Sequence, residues 1–355
     1  MTLSPSLIRT PSLDAWLKIH SDGRLTVLTG KAELGQKIKT AIAIIAAEEL
    51  DVDPARITVV TAETGVSPDE RYTGGSNSME ESGNAVRQAM AHARRLLFAL
   101  AARQLGDAVA DLIVDDGVIS GRANDKRLSY GELMGDRPFD HQITEEIAAK
   151  DPAQYRIIGK PVPGTGFEGL VSGSTPFLHD LELPGMIHAR AVRPPHYLAR
   201  LTAVDDAAVR AMPGVIDVIR DGSFLAVAAA REEQAVWAAA KLKSLTQWDM
   251  SRRLSADTDI YEQLTSNPRQ SLLIINGVPT DDAIPERAAP ADATQVMSAT
   301  YLRPYHMHGS MGPSAAMAWF DDSGHLTVWS HSQGAYPLRR ALADVLAMDE
   351  AAIKV

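Results

Sequence analysis

The stretch LKIHSDGRLTVLTGKAELGQKIKTAIAIIAAEELDVDPARITVV, residues 17–60, decides the fold. Leu17 and Ile19, then Leu25 and Val27, alternate with polar residues on either side of Ser21-Asp22-Gly23, which is the period and turn of a hairpin. A Gly-containing turn, residues 30–36, leads into an Ala- and Ile-dense run that predicts a helix over 38–50. Pro54 follows, and Ile57, Val59 and Val60 predict a further strand. The chain then repeats itself. Gly23-Arg24-Leu25-Thr26-Val27 is matched by Gly324-His325-Leu326-Thr327-Val328, Gln36 by Gln333, and residues 53–59 by residues 349–355 in spacing. Two copies of strand–turn–strand–Gln–helix–strand imply two related halves of one architecture, the alternative being chance similarity of two short units.

Outward from this stretch, residues 62–82 are irregular and rich in Gly, Ser and acidic side chains, and 83–105 predict an amphipathic helix. Residues 109–119 predict short strands around Asp115-Asp116-Gly117. These close a first segment, 1–135. Residues 136–155 are polar, contain Pro138 and Pro152, and are expected as a linker. Residues 156–250 alternate short strands and helices (177–183, 186–192, a helix at 207–212, strands at 215–219 and 224–229, a helix at 232–245) and predict an α+β domain. Residues 251–293 are expected as a loop-rich connector with a candidate strand at 271–275, and 294–355 hold the second copy. The fold class is α+β.

A chain of 355 residues has room for two or three domains of roughly 100–200 residues. Its 45% hydrophobic and 23% charged residues are ordinary for a globular protein. A net charge of -10 argues against a nucleic-acid partner, whose phosphates demand Lys/Arg surfaces. The absence of cysteine excludes disulfides, thiolate zinc sites, iron–sulfur ligation and cysteine nucleophiles. No apolar run approaches the roughly 18–20 residues of a membrane span. The N-terminus shows neither a basic-then-apolar leader nor a twin arginine, so a cytoplasmic location is expected and a periplasmic one stays open.

Four motifs bear on chemistry. Gly164-Thr165-Gly166-Phe167-Glu168-Gly169 matches G-x-G-x-x-G, but Pro161 and Pro163 stand where a dinucleotide site needs a strand, so it reads as a loop. Gly30-Lys31-Ala32-Glu33-Leu34-Gly35-Gln36 lies between a strand and a helix N-terminus, where free N–H groups suit an anion; on spacing alone an ordinary turn explains it as well. Thr73-Gly74-Gly75-Ser76-Asn77-Ser78 offers glycines and hydroxyls before a helix, or is a plain surface loop. Ser330-His331-Ser332-Gln333-Gly334 occupies the place of the first turn in the second copy, or is a capped helix start. His306 and His308 have strand spacing but no further ligand, so no metal site is assigned. Glu80-Glu81 reads as a solvated helix start.

The three turns, in this order, resemble the molybdopterin-binding subunits of the xanthine dehydrogenase and aldehyde oxidase superfamily, in the branch of isoquinoline 1-oxidoreductase and nicotinate dehydrogenase large subunits. Residues 30–37 are similar to G-K-V-E-L-G-Q-G, and residues 73–78 to T-x-G-S-x-S. Residues 177–189 (FLHDLELPGMIHA) and Met212-Pro213-Gly214-Val215 resemble the α/β hammerhead domain. Residues 301–313 and 326–334 resemble the start of the first molybdopterin-binding domain. The implied architecture is a pair of permuted molybdopterin-binding segments flanking a hammerhead domain.

The resemblance implies molybdopterin, alone or as its cytosine dinucleotide, with molybdenum. Leu34, Gly35 and Gln36 would bind the pterin phosphate through main-chain donors. Gly74, Gly75, Ser76, Asn77 and Ser78 would bind its far side. Gln333, the one catalytic residue assigned, would hydrogen-bond an oxo ligand of the metal. Lys37 stands where the family has Gly, and would either crowd the ligand or add a phosphate contact. The family chain continues for about as many residues again and carries its general base there, so none is assigned here. The implied activity is oxidation of an N-heteroaromatic ring or an aldehyde, with water as oxygen source. Electrons would pass to [2Fe-2S] clusters on a small partner subunit, and a second chain would supply the missing half. The alternative is a non-catalytic fragment or half-subunit that serves assembly or cofactor docking only.

Overall fold

The computed structural model describes residues 2–121, 125–252, 260–286, 288–310 and 312–355. Residues 253–259 and 287 of the expected connector lie outside the described residues. The chain divides into two compact units, Met1–Leu181 with Gly312–Val355, and Glu182–Met311. The divisions therefore fall after Leu181 and after Met311, rather than at the expected 155/156 and 293/294.

In the first unit a short helix, Pro5–Arg9 (α1), precedes strands Leu17–Ile19 (β1) and Leu25–Thr29 (β2). They pair antiparallel, Leu17 opposite Val27, around Gly23 in the left-handed region at φ 81°. Helix Ile38–Leu50 (α2) crosses over to Ile57–Thr61 (β3), which pairs parallel with β2. A parallel neighbour cannot be reached by a tight turn and needs a long crossover, which α2 supplies. Helix Asn84–Leu105 (α3) packs on α2 through small residues: Ala43, Ala46 and Ala47 on one, Ala85, Ala89 and Ala93 on the other, all buried. Strands Leu112–Asp115 (β4), Val118–Gly121 (β5) and Arg127–Ser129 (β6) form an antiparallel sheet, followed by helices Tyr130–Met134 (α4) and Phe167–Ser172 (α5).

Residues 136–155 are not a free linker. They carry only one 3-10 turn, Pro152–Gln154, yet Ile143 is 2% exposed in the main core. Their backbone is held by side chains and by one antiparallel bridge, Ser12 to Gln142: the Asp14 carboxylate accepts from the Phe139 and Asp140 N–H groups at 2.7 and 3.0 Å, and Leu13 N–H donates to His141 O and Ile143 N–H to Pro11 O at 2.9 and 2.8 Å. Prolines and polar residues thus mark an irregular segment without marking a loose one.

The second unit holds His188–Ala191 (β7), Arg200–Val204 (β8), helix Ala207–Arg210 (α6), Val215–Asp221 (β9), Phe224–Ala229 (β10), helix Glu232–Ser244 (α7) and Thr246–Asp249 (β11). The sheet runs β7-β10-β9, all antiparallel, and a separate pair runs β11-β8. Val218, Leu225 and Val227 pack with Ala238 and Leu242 of α7. Helix Ile260–Ser266 (α8) and the hairpin Leu273–Ile275 (β12) with Val278–Thr280 (β13) follow. The residues similar to the hammerhead domain make a 3-10 turn at Leu178–Asp180, in the first unit, and β7 in the second.

The first unit then resumes with Ala316–Phe320 (β14), Leu326–Ser330 (β15), helix Ala335–Leu346 (α9) and Ile353–Lys354 (β16). β14 and β15 are antiparallel and β15 and β16 parallel, the topology of β1-β2-β3. The likeness extends to the joints. Asp51 after α2 and Ala347 after α9 are both left-handed, at φ 51° and 52°. Asp53 and Asp349 both cap a 3-10 turn, accepting from Ala55 N–H and Ala351 N–H at 2.8 and 2.9 Å. The duplication inferred from sequence is thus a duplication of topology and of capping.

Glu48 of α2 anchors residues 150–158. Its carboxylate is 1% exposed and accepts from the Arg156, Ile157 and Ile158 N–H groups at 3.0, 2.7 and 3.0 Å and from Lys150 Nζ at 3.1 Å. Burial pushes its pKa up, but these donors outweigh burial and bring it down to about 2. Glu48→Ala would leave Lys150 short of a partner and those N–H groups without an acceptor, at a cost of about 3–5 kcal/mol in denaturant unfolding near neutral pH. The folded-state pKa lies below the ordinary 4.5, so the stabilisation is complete above that pH. The gap between wild type and variant should shrink as pH falls from there towards 2.

Candidate functional site

The site is built where β2 ends. Thr29 is fully buried, and Gly30 is required by packing: a Cβ there would lie 2.1 Å from Pro68 O and 2.8 Å from Glu70 N. Lys31 turns inward and is 1% exposed. Its ammonium donates to Glu81 Oε2 at 2.7 Å, Glu70 O at 3.0 Å and Tyr72 O at 3.2 Å. The Glu70 carboxylate, also fully buried, accepts through Oε2 from Thr29 Oγ1, Gly30 N and Ser82 Oγ at 2.8, 2.9 and 2.8 Å. These contacts draw residues 70–82 over the turn. Glu81 is therefore the half-buried partner of Lys31, not the solvated residue expected; only Glu80 stays exposed. Ser78 to Gly83 form a π-helical turn leading into α3.

Thr73 is where the three turns meet. Its hydroxyl accepts from Ala32 N–H at 2.7 Å. Its own N–H donates to Gln333 O at 2.7 Å, and its carbonyl accepts from Gln333 Nε2 at 2.8 Å. Gly334 admits this approach, since a Cβ there would lie 2.9 Å from Arg71 O. Gln333 itself is exposed, as are Gly74, Gly75 and Ser76, while Asn77 and Ser78 are half-buried.

The turn around residues 34–36 differs from expectation. The Leu34 N–H donates to Gln36 Oε1 at 2.6 Å and the Gly35 N–H to Glu33 Oε1 at 2.9 Å, so neither main-chain donor is free. Glu33 also accepts from Lys37 N and Lys39 N, at 3.0 and 3.1 Å, and so provides the anion at the start of α2. Gln36 Nε2 donates to Ala32 O at 2.8 Å. The three residues nonetheless form an exposed edge, and nothing stands within 4 Å of a Cβ built on Gly35. Lys37 lies in the left-handed region at φ 64°, where glycine costs least, and its ammonium sits 5.5 Å from the Phe167 ring centroid.

Residues 164–169 are preceded by no strand, although the short α5 does follow. His331 Nδ1 meets Ala315 O at 2.8 Å, and His306 and His308 are exposed. Among the described residues no helix is long and apolar enough to cross a membrane.

Comparison with known proteins assigns the class. Residues 2–166 and residues 274–355 each match a family model described as a molybdopterin cofactor-binding domain, one containing the first strand–helix–strand copy and the other the second. Over 98% of its length the chain is 33% identical to a nicotinate dehydrogenase subunit of Pseudomonas putida, of which it covers 29%. It is 28% identical to the beta subunit of isoquinoline 1-oxidoreductase of Brevundimonas diminuta, over 59% of this chain and 32% of that one. It is 26% identical to a membrane-bound aldehyde dehydrogenase of Gluconacetobacter polyoxogenes, over 95% of this chain and 44% of that one. The chain thus spans between 29% and 44% of the length of these relatives. In class it is a molybdopterin cofactor-binding protein. It belongs to the molybdopterin-binding subunits of the xanthine dehydrogenase and aldehyde oxidase family.

The glycines separate packed from open backbone. Gly30→Ala forces a methyl into backbone and should cost about 3 kcal/mol. Gly74→Ala meets nothing within 4 Å and should stay within about 0.5 kcal/mol of wild type. Thermal unfolding of the two variants side by side checks both; equal melting temperatures would contradict the packing described for Gly30.

Proposed function

We propose that the chain is part of a molybdenum hydroxylase that oxidises an N-heteroaromatic ring or an aldehyde, with water as the oxygen source. Electrons leave to [2Fe-2S] clusters on a small partner subunit, since this chain has no cysteine to hold them. The general base belongs to the part of the relatives' length that these 355 residues do not match. The cofactor is molybdopterin, alone or as its cytosine dinucleotide.

The observation that carries this proposal is the convergence of the 30–36 turn, the 73–78 loop and Gln333 on Thr73. The residues fit such a group. Gly35 and Gly74 leave open space above the backbone, and the side chains beside them, Gln36, Ser76, Asn77 and Ser78, are amides and hydroxyls, which suit a ligand that brings its own metal ligands. Bound, the cofactor supplies the redox chemistry. The protein positions it: Leu34, Gly35 and Gln36 offer one exposed edge, Gly74 to Ser78 the facing loop, and Gln333 an amide for the metal end. Glu33 must yield its place, or share it, for a phosphate to reach the start of α2. The second reading is a half-subunit or fragment that serves docking or assembly without catalysis.

Molybdenum per chain, measured by elemental analysis on protein purified from its native host with its associated chains, decides between them. Near-stoichiometric metal with an iron–sulfur chain supports the hydroxylase; a folded chain without metal supports the docking role. In the metal-bearing complex, Gln333→Ala should lower turnover by about a hundredfold, the scale of losing one oriented donor, while molybdenum content stays near wild type. Equal loss of both, or of neither, would contradict the role given to Gln333.

A further inference from the structure

We infer that Thr73 is a positioning residue, the joint that fixes the Gln333 amide relative to the 30–36 turn. Each polar group of this one residue is used. Its hydroxyl holds Ala32, and its N–H and carbonyl hold Gln333, at 2.7, 2.7 and 2.8 Å. Its side chain is 5% exposed, so a lost partner is not replaced cheaply by water. Arg71 and Ser76 on either side are in the left-handed region, at φ 59° and 61°, a conformation that persists only where surrounding contacts impose it.

The pairing also decides how Gln333 is turned. A carbonyl oxygen can face only the NH2 end of an amide, so Thr73 O selects Nε2 and leaves Oε1 facing away. One amide hydrogen is used by Thr73, and the second remains to donate. The Thr73 backbone therefore orients the Gln333 amide, and the Thr73 hydroxyl ties that backbone to Ala32. What the orientation does for a cofactor rests on the hydroxylase proposal above; the joint itself does not.

Thr73→Val keeps the branched shape and removes the hydroxyl, and Thr73→Ser keeps the hydroxyl. Amide hydrogen exchange on the full chain should show about a tenfold loss of protection in residues 31–36 and also in 331–336 for the Val variant, the effect of one hydrogen bond. Residues 85–101 of α3 should be unchanged, and Ser should restore both turns. A loss confined to 31–36, a uniform loss that includes α3, or no loss would each overturn the inference. Should the Val variant not fold, Gln333→Leu tests the other side. It removes an exposed side chain and should raise exchange at residues 72–76 severalfold; no rise would overturn the joint. In the metal-bearing complex, Thr73→Val should release molybdenum severalfold faster on dilution, with Ser close to wild type. A wild-type complex without molybdenum would defeat the hydroxylase proposal alone, and the exchange data would still decide the joint.

Discussion

A lysine ammonium buried to 1% exposure must be matched where it sits, because the cost of taking the charge from water is met only by close partners. Lys31 cannot find them on its own turn. Its donors go to Glu81 and to the carbonyls of Glu70 and Tyr72, all from a segment about forty to fifty residues later in the chain. Satisfying one cation therefore folds an otherwise irregular loop down onto the end of β2. Glu70 completes the lid from the opposite direction, since its carboxylate holds Thr29, Gly30 and Ser82 together. With residues 70 and 72 held in place, Thr73 is delivered to Ala32 and to Gln333.

The two copies of the fold use their turns differently. In the first, Glu33 closes the start of α2 and Gln36 bonds back to Ala32, so the turn is satisfied from within. In the second, no side chain caps α9, and Gln333 bonds away from its own copy, to Thr73. A glutamine at the same place in a duplicated motif thus braces its own turn in one copy and reaches out to the loop after β3 in the second. Duplication supplied the position, and the neighbouring loop decided the use.

Much of this was legible in the sequence. The period-two strands, the 38–50 helix and the match between residues 23–27 and 324–328 each follow from local pattern, and local pattern survives folding because each residue's face is set by its neighbours in the chain. The helix begins and ends at the expected residues because Pro54 and the polar turn leave little freedom. The three turns were legible as candidates. Their meeting was not, since hydrogen bonds between residues 73 and 333 leave no mark on spacing. Nor was the inward turn of Lys31, for a lysine in a Gly-rich turn is ordinarily solvated. Residues 136–155 misled for a related reason: proline and charge mark irregular backbone, but the Lys150 side chain is covered because it pairs with Glu48 and Asp51. The glycine expected at 37 had a geometric cause, the left-handed φ, which a sequence shows only as an absence.

The second copy shows how far topology alone goes. Its strands, helix and caps repeat the first, yet its own core is Leu326, Val328 and Ile353 with a few flanking side chains, whereas the first is continuous with more than two dozen buried residues. The difference lies in α3, which covers α2. Among the described residues no second long helix covers α9 in this unit, and Val345 is 81% exposed. So small a core cannot offset the entropy of ordering its chain. The copy is held by what it shares with the first: the Thr64 N–H to the Val355 carbonyl at 3.0 Å, the Tyr336 hydroxyl to Ser67 O at 2.6 Å, and Arg340 to Asp69 at 3.0 Å. All three reach the loop between β3 and α3. The loop that Lys31 pins down is thus also the loop on which the second copy stands, so the place of Gln333 depends on a cation buried in the other half of the repeat.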